Sequence, residues 1–167
     1  MTIDDPLPAA VEFAGFLLAH AVWSVSEGSS LMPMLGYCAG GERTLLQLES
    51  GRIEDMVAQG TEFLAANTQN ASHAALIYDG YARLPEGRMD ALVADVVAYD
   101  PPRRTLQIIV PYRHADSDDG FAVHRPKFQG IAAATINSRE ITAAFFHGVN
   151  SHEEAAPIWN RFLDQSI

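Results

Sequence analysis

A chain of 167 residues is the size of one ordinary domain, and at this length folding hides about 70% of the open chain's surface, so a core forms without staples. Its 11 basic and 21 acidic side chains leave a formal charge of −10, which repels phosphate backbones and anionic lipid and sets aside nucleic acid and membrane surfaces as partners. The single cysteine, Cys38, excludes an internal disulfide and a cysteine-built zinc site; with no basic start and apolar leader, the chain is predicted to be cytoplasmic.

In chain order, Met1 to Leu7 is acidic and reads as an unstructured lead-in, after which Pro8 suits the first turn of a helix. From Ala9 to about Ser24, the residues Phe13, Phe16, Leu17 and His20 recur at helical spacing, with Leu18, Val22 and Val25 on an adjacent strip. Such a helix is buried on more than one side. Its apolar run, Val11 to Val25, is broken by Glu12, Gly15, His20 and Ser24, which argues against a membrane span. Leu31 to Ala39 and Arg43 to Glu49 read as a hairpin around Gly40-Gly41, because paired glycines supply positive φ. The stripe Ile53, Met56, Val57, Gly60, Phe63 and Leu64 predicts an amphipathic helix over Arg52 to Ala66, and Asn67 to Ser72 is a polar loop.

The stretch from His73 to Phe128 reads as four strands: Ala74 to Leu84, Met89 to Tyr99, Thr105 to Arg113 and Phe121 to Phe128. Pro and Gly in Leu84-Pro85-Glu86-Gly87-Arg88 make the first reversal, and Asp100-Pro101-Pro102 ends the second strand. With Leu84 and Arg88 flanking a three-residue turn and Asp100 opposite Arg104, even-numbered positions of three strands share one face. That face is apolar apart from Asp90 and is assigned to the core; the odd face, with Ile77, Asp79, Tyr81, Arg83, Val93, Asp95 and Tyr99, is mixed. Beyond Phe128, Ser138 caps a helix through Ile141, Phe145 and Phe146, or the segment is a strand. Ser151-His152-Glu153-Glu154 has the form of a capping box before a terminal helix through Ile158, Trp159 and Phe162. The fold expected is a single α+β domain over residues 1–167. Its largely antiparallel sheet of about six strands is packed on one face by N-terminal, middle and C-terminal helices.

Motifs of diagnostic strength are absent from the sequence. Six histidines (His20, His73, His114, His124, His147 and His152) show no ligand spacing, so neither metal nor cofactor is expected. Asp79 and Asp95 are the catalytic candidates, since the register above makes them diagonal neighbours able to share a proton. The ordinary alternative is that each faces water or pairs with Arg83 or Arg113. Phe121 to Phe128 places His124, Arg125 and Lys127 between two aromatics in an acidic protein and, with Tyr81 and Arg83 on the mixed face, forms the binding candidate; its ordinary reading is an edge strand protected by charge. Two functions follow. One is a non-enzymatic protein acting by self-association or on a protein partner, of the adaptor or immunity type. The other is a small hydrolase built on the Asp79/Asp95 pair.

Overall fold

A computed structural model describes residues 6–48, 51–99, 102–130 and 137–166. Among them are four helices and eight strands: α1 (Pro6–Ser26), β1 (Met34–Ala39), β2 (Glu42–Gln47), α2 (Ile53–Ala66), β3 (His73–Leu84), β4 (Gly87–Ala98), β5 (Arg104–Arg113), β6 (Ala122–His124), β7 (Lys127–Gln129), α3 (Ser138–Ser151), α4 (Ala156–Phe162) and β8 (Leu163–Asp164). The strands form one curled sheet in the order β2-β1-β3-β4-β5-β6-β8, with β7 also paired to β5. Every pairing is antiparallel except β6 with β8. The α+β class, the glycine hairpin and the three helical regions are as the sequence predicts. Gly40 and Gly41 take φ of 59° and 81°, which carries the chain from Ala39 to its partner Glu42.

One register differs from expectation, and it rearranges both faces. Leu84 pairs with Gly87, not with Arg88, so only Pro85 and Glu86 lie in the turn. Proline second and glycine fourth is the residue order of a common tight turn, and Gly87 at φ 125° opens β4. The slip of one residue sets odd positions of β3 beside even positions of β4. Between β4 and β5 the observed pairing of Ala98 with Arg104 differs from the expected one by two residues, which preserves the faces. Ala75 and Ile77 therefore join Leu92, Ala94, Val96, Leu106, Ile108, Val110 and Tyr112 in the principal core. Ala74 and Leu76 look the other way, with Val97, onto α2.

The fourth strand is also divided. β7 meets β5 through Ile109 opposite Lys127, whereas β6 meets it through Tyr112 opposite Val123, so Arg125 and Pro126 form a break between two short strands. A proline at such a break leaves no ladder bond unmade.

The helices follow from this division of faces. α1, α3 and α4 cover the principal core. α2 lies on the reverse, where Gly60 lets the helix backbone close onto the Leu76 side chain. The stretch around Ser138 is a helix, with the Asn137 side chain accepting from the Arg139 amide at 2.9 Å as its N-cap. α1 and α3 approach until backbone meets backbone: a Cβ on Gly148 would overlap the Glu12 carbonyl, and one on Gly15 the Phe145 carbonyl. By length and composition α1 could cross a membrane, the one helix among the described residues that could. Here it is a core helix, with Leu7, Val11, Ala14, Leu18 and Val22 all fully buried. The predicted capping box is replaced by a different cap: Ser151 ends α3 by bonding the Gly148 carbonyl at 2.6 Å, and the His152 ring receives the Ala155 amide at 3.1 Å.

Candidate functional site

The register that rebuilt the faces also separates the expected carboxylate pair. Asp95 lies opposite Leu76 and Asp79 opposite Leu92, which puts Asp79 on the α1 side of the sheet and Asp95 on the α2 side. The hydrolase reading loses the pair that motivated it. Asp95 accepts from the Tyr78 hydroxyl at 3.0 Å and the Gln107 amide at 2.8 Å. Burial and that carboxylate push the Tyr78 phenol up to about 12.

Asp79 has a different acidic neighbour, Asp90, which pairs across the strands with Tyr81 and so sits diagonal to it on one face. The Tyr112 hydroxyl donates to both Asp79 oxygens at 3.0 Å. His114 Nε2 stands 2.7 Å from the Asp90 carboxylate. Partial burial raises the Asp79 pKa above its ordinary value and the charge of Asp90 raises it further, against the Tyr112 bond and His114. Tyr112, 1% exposed, has its own pKa raised by burial and by Asp79. These groups adjoin a cavity of about 520 Å³ lined by Tyr81, Arg88, Asp90, Tyr112, Arg113 and His114. The cluster can hold and exchange a proton. Among the described residues no three His, Cys, Asp or Glu side chains are grouped to hold a metal ion.

Of the arginines expected to neutralise the acids, Arg113 is engaged elsewhere and Arg83 faces solvent. Arg113 donates to the carbonyls of Gly120 at 2.7 Å and Asp119 at 3.2 Å, closing the loop between β5 and β6. Arg83 is exposed and pairs across the hairpin with Arg88, whose guanidinium lies 3.5 Å from the centre of the exposed Tyr81 ring.

The expected binding strand is not a single surface. His124 is 1% exposed, and its Nδ1 donates to the Asp164 carbonyl at 3.1 Å, tying β6 to β8. Arg125 is exposed at the strand break, and Lys127 is half-buried on β7. The apolar groups expected to make the odd face sticky are consumed inside the domain, with Ile77, Val93, Val97 and Ile109 all buried.

Apolar surface instead remains at the other end of the sheet. β2 pairs only with β1 among the described residues, so the outer side of its backbone is open. Leu45 is 60% exposed there and Met32 55%, beside a groove of about 380 Å³ lined by Met32, Pro33, Met34, Leu35, Leu45 and Leu46. Sequence reading missed this edge, although an uncharged Thr44-Leu45-Leu46 run in the second strand of the predicted hairpin was its available signal. No family model, no curated protein and no solved structure matches this chain.

Proposed function

We propose that the protein acts by association, as a cytoplasmic homodimer that joins two sheets edge to edge through β2, with neither nucleic acid nor membrane as its partner. The observation that carries this reading is an open strand edge bearing a 60%-exposed leucine, Leu45. An antiparallel strand is its own complement across a two-fold axis, and main-chain hydrogen bonds supply the contact. Charge selects the place. In a chain of formal charge −10, Glu42 and Arg43 cancel and the remainder of β2 is uncharged, so two copies repel least here. Dimerisation should accordingly strengthen as salt screens the rest of the surface. An assembly of this kind suits an adaptor or an antagonist of the immunity type.

The test is light scattering after size exclusion, over a range of protein and salt concentrations. Wild-type protein is expected at twice the 18.2 kDa chain mass. Leu45→Glu is expected at the chain mass, with the unfolding midpoint of wild-type protein diluted until it is monomeric, since the side chain is mostly in water in the single chain. A wild-type monomer under every condition overturns the proposal.

A further inference from the structure

We infer that His20 is a hydrogen-bond donor of fixed tautomer in a groove at the end of α1, and that this groove takes a neutral carbonyl compound with an apolar body. The tautomer follows from a chain of bonds. The Ala155 amide donates to His152 Nδ1 at 3.1 Å, so that nitrogen carries a lone pair and the proton of the ring is on Nε2. His152 Nε2 lies 3.0 Å from His20 Nδ1 and must donate to it. His20 is thereby left with its proton on Nε2, at the side of the ring turned away from His152. The same chain excludes the pair as metal ligands, because a nitrogen that has to donate has no lone pair for a metal.

The surroundings hold both rings in place. The Phe16 ring is 4.8 Å from that of His152, and the Trp23 ring meets both imidazoles edge to face at 5.7 and 5.8 Å. His152 is 6% exposed. His20 lines a groove of about 520 Å³ with Trp23, Glu27, Leu31, Met32 and Met34. Among the described residues no protein group bonds its Nε2.

The lining selects the ligand. Trp23, Leu31 and the two methionines offer an apolar wall, with Ser24, Ser29 and Ser30 beside it and the Ser24 hydroxyl already spent on the His20 carbonyl, and the Nε2 proton asks for an acceptor. Glu27 and the formal charge of −10 disfavour an anion, while the outward proton disfavours a cation. A neutral carbonyl oxygen satisfies both conditions. Burial and the neighbouring ring hold His20 below its ordinary value, which keeps it in the donating neutral form through neutral pH. Glu154, whose carboxylate stands 3.4 Å from His152 Nδ1, opposes this.

Two measurements test the inference. Long-range 15N correlation spectra of the imidazoles at neutral pH are expected to show both His20 and His152 protonated on Nε2; a proton on His20 Nδ1 overturns it. Acetophenone and ethylbenzene are then titrated while the Trp23 indole and His20 ring signals are followed. Acetophenone is expected to bind about tenfold more tightly, the value of one neutral hydrogen bond, and His20→Phe to abolish that preference. Equal binding of the two probes, or binding of neither, overturns the site. Because Met32 also borders the β2 edge, the titration is repeated with Leu45→Glu, whose monomer keeps the groove and separates this result from that of dimerisation.

Discussion

The two faces of the sheet are closed by different physics. On the α1 side, apolar contact dominates, with polar bonds such as His147 to Glu12 and His152 to His20 beside it: α1 is sunk between strands and α3, and the two helices touch through Gly15 and Gly148 with no room for a methyl group. On the α2 side a smaller apolar cluster is supplemented by polar clamps on the helix end. The Tyr99 hydroxyl donates to the Leu64 carbonyl at 2.5 Å, and Arg103 donates to the carbonyls of Leu64 and Ala65 at 3.1 and 3.2 Å. These carbonyls are orphans of the last helical turn, so a donor there also meets the negative end of the helix dipole. A face with a deep core needs close fit, and a face with a shallow one needs its helix tied down.

Substitutions can break each face by its own mechanism. The largest effect is expected for Gly148→Ala, which forces α1 and α3 apart at their closest point and should cost about 3 kcal/mol in denaturant unfolding, at the upper end for overpacking. A loss under about 0.5 kcal/mol, no more than a surface substitution costs, would show that the helices are not in backbone contact. Tyr99→Phe combined with Arg103→Ala should cost about 1–2 kcal/mol and raise hydrogen exchange in α2 before any change in α1.

Acid sharpens the contrast because titrating groups on the α1 side are held in one state. His20 and His73 both sit below their ordinary value of 6.5, chiefly through burial, with His152 acting on His20 and Arg43 on His73. Their unfolded forms take up protons first, so the stability they contribute is present above 6.5 and is lost as pH falls below it. Unfolding midpoints should therefore drop between pH 7.5 and 5, and less so when both are replaced by Phe. The smallest effect concerns Asp79, whose raised pKa has the opposite sign: its charged form is disfavoured in the fold, so the penalty operates at neutral pH and vanishes in acid. Asp79→Asn keeps an acceptor for Tyr112 and should raise the midpoint slightly at pH 7, with no gain below pH 3.8.

Local features of the fold were legible in residues whose chemistry leaves little choice. Gly40-Gly41 demanded a hairpin, and the Met56, Gly60 and Leu64 stripe demanded a helix with one dry face. The face assignment of β3 was not legible, because Ala74 and Leu76 are as apolar as Ala75 and Ile77 and both sets are buried. With no alternation to read, the register rested on the turn alone, and one residue there exchanged Asp95 for Asp90 as the neighbour of Asp79. The His20–His152 bond spans 132 positions and leaves no trace in spacing. His124 misled for a related reason: its charged neighbours suggested a surface, whereas it is buried where β6 pairs with β8 and bonds the Asp164 carbonyl.

The most direct test of edge-to-edge association is residue-resolved hydrogen exchange over Glu42–Gln47 as protein concentration rises. Alternate amides of a strand point to opposite sides, so in a lone chain those turned away from β1 exchange freely. Protection of both sets at high concentration, lost for the outward set in Leu45→Glu, is the expected result. Outward amides that exchange freely at every concentration would contradict it.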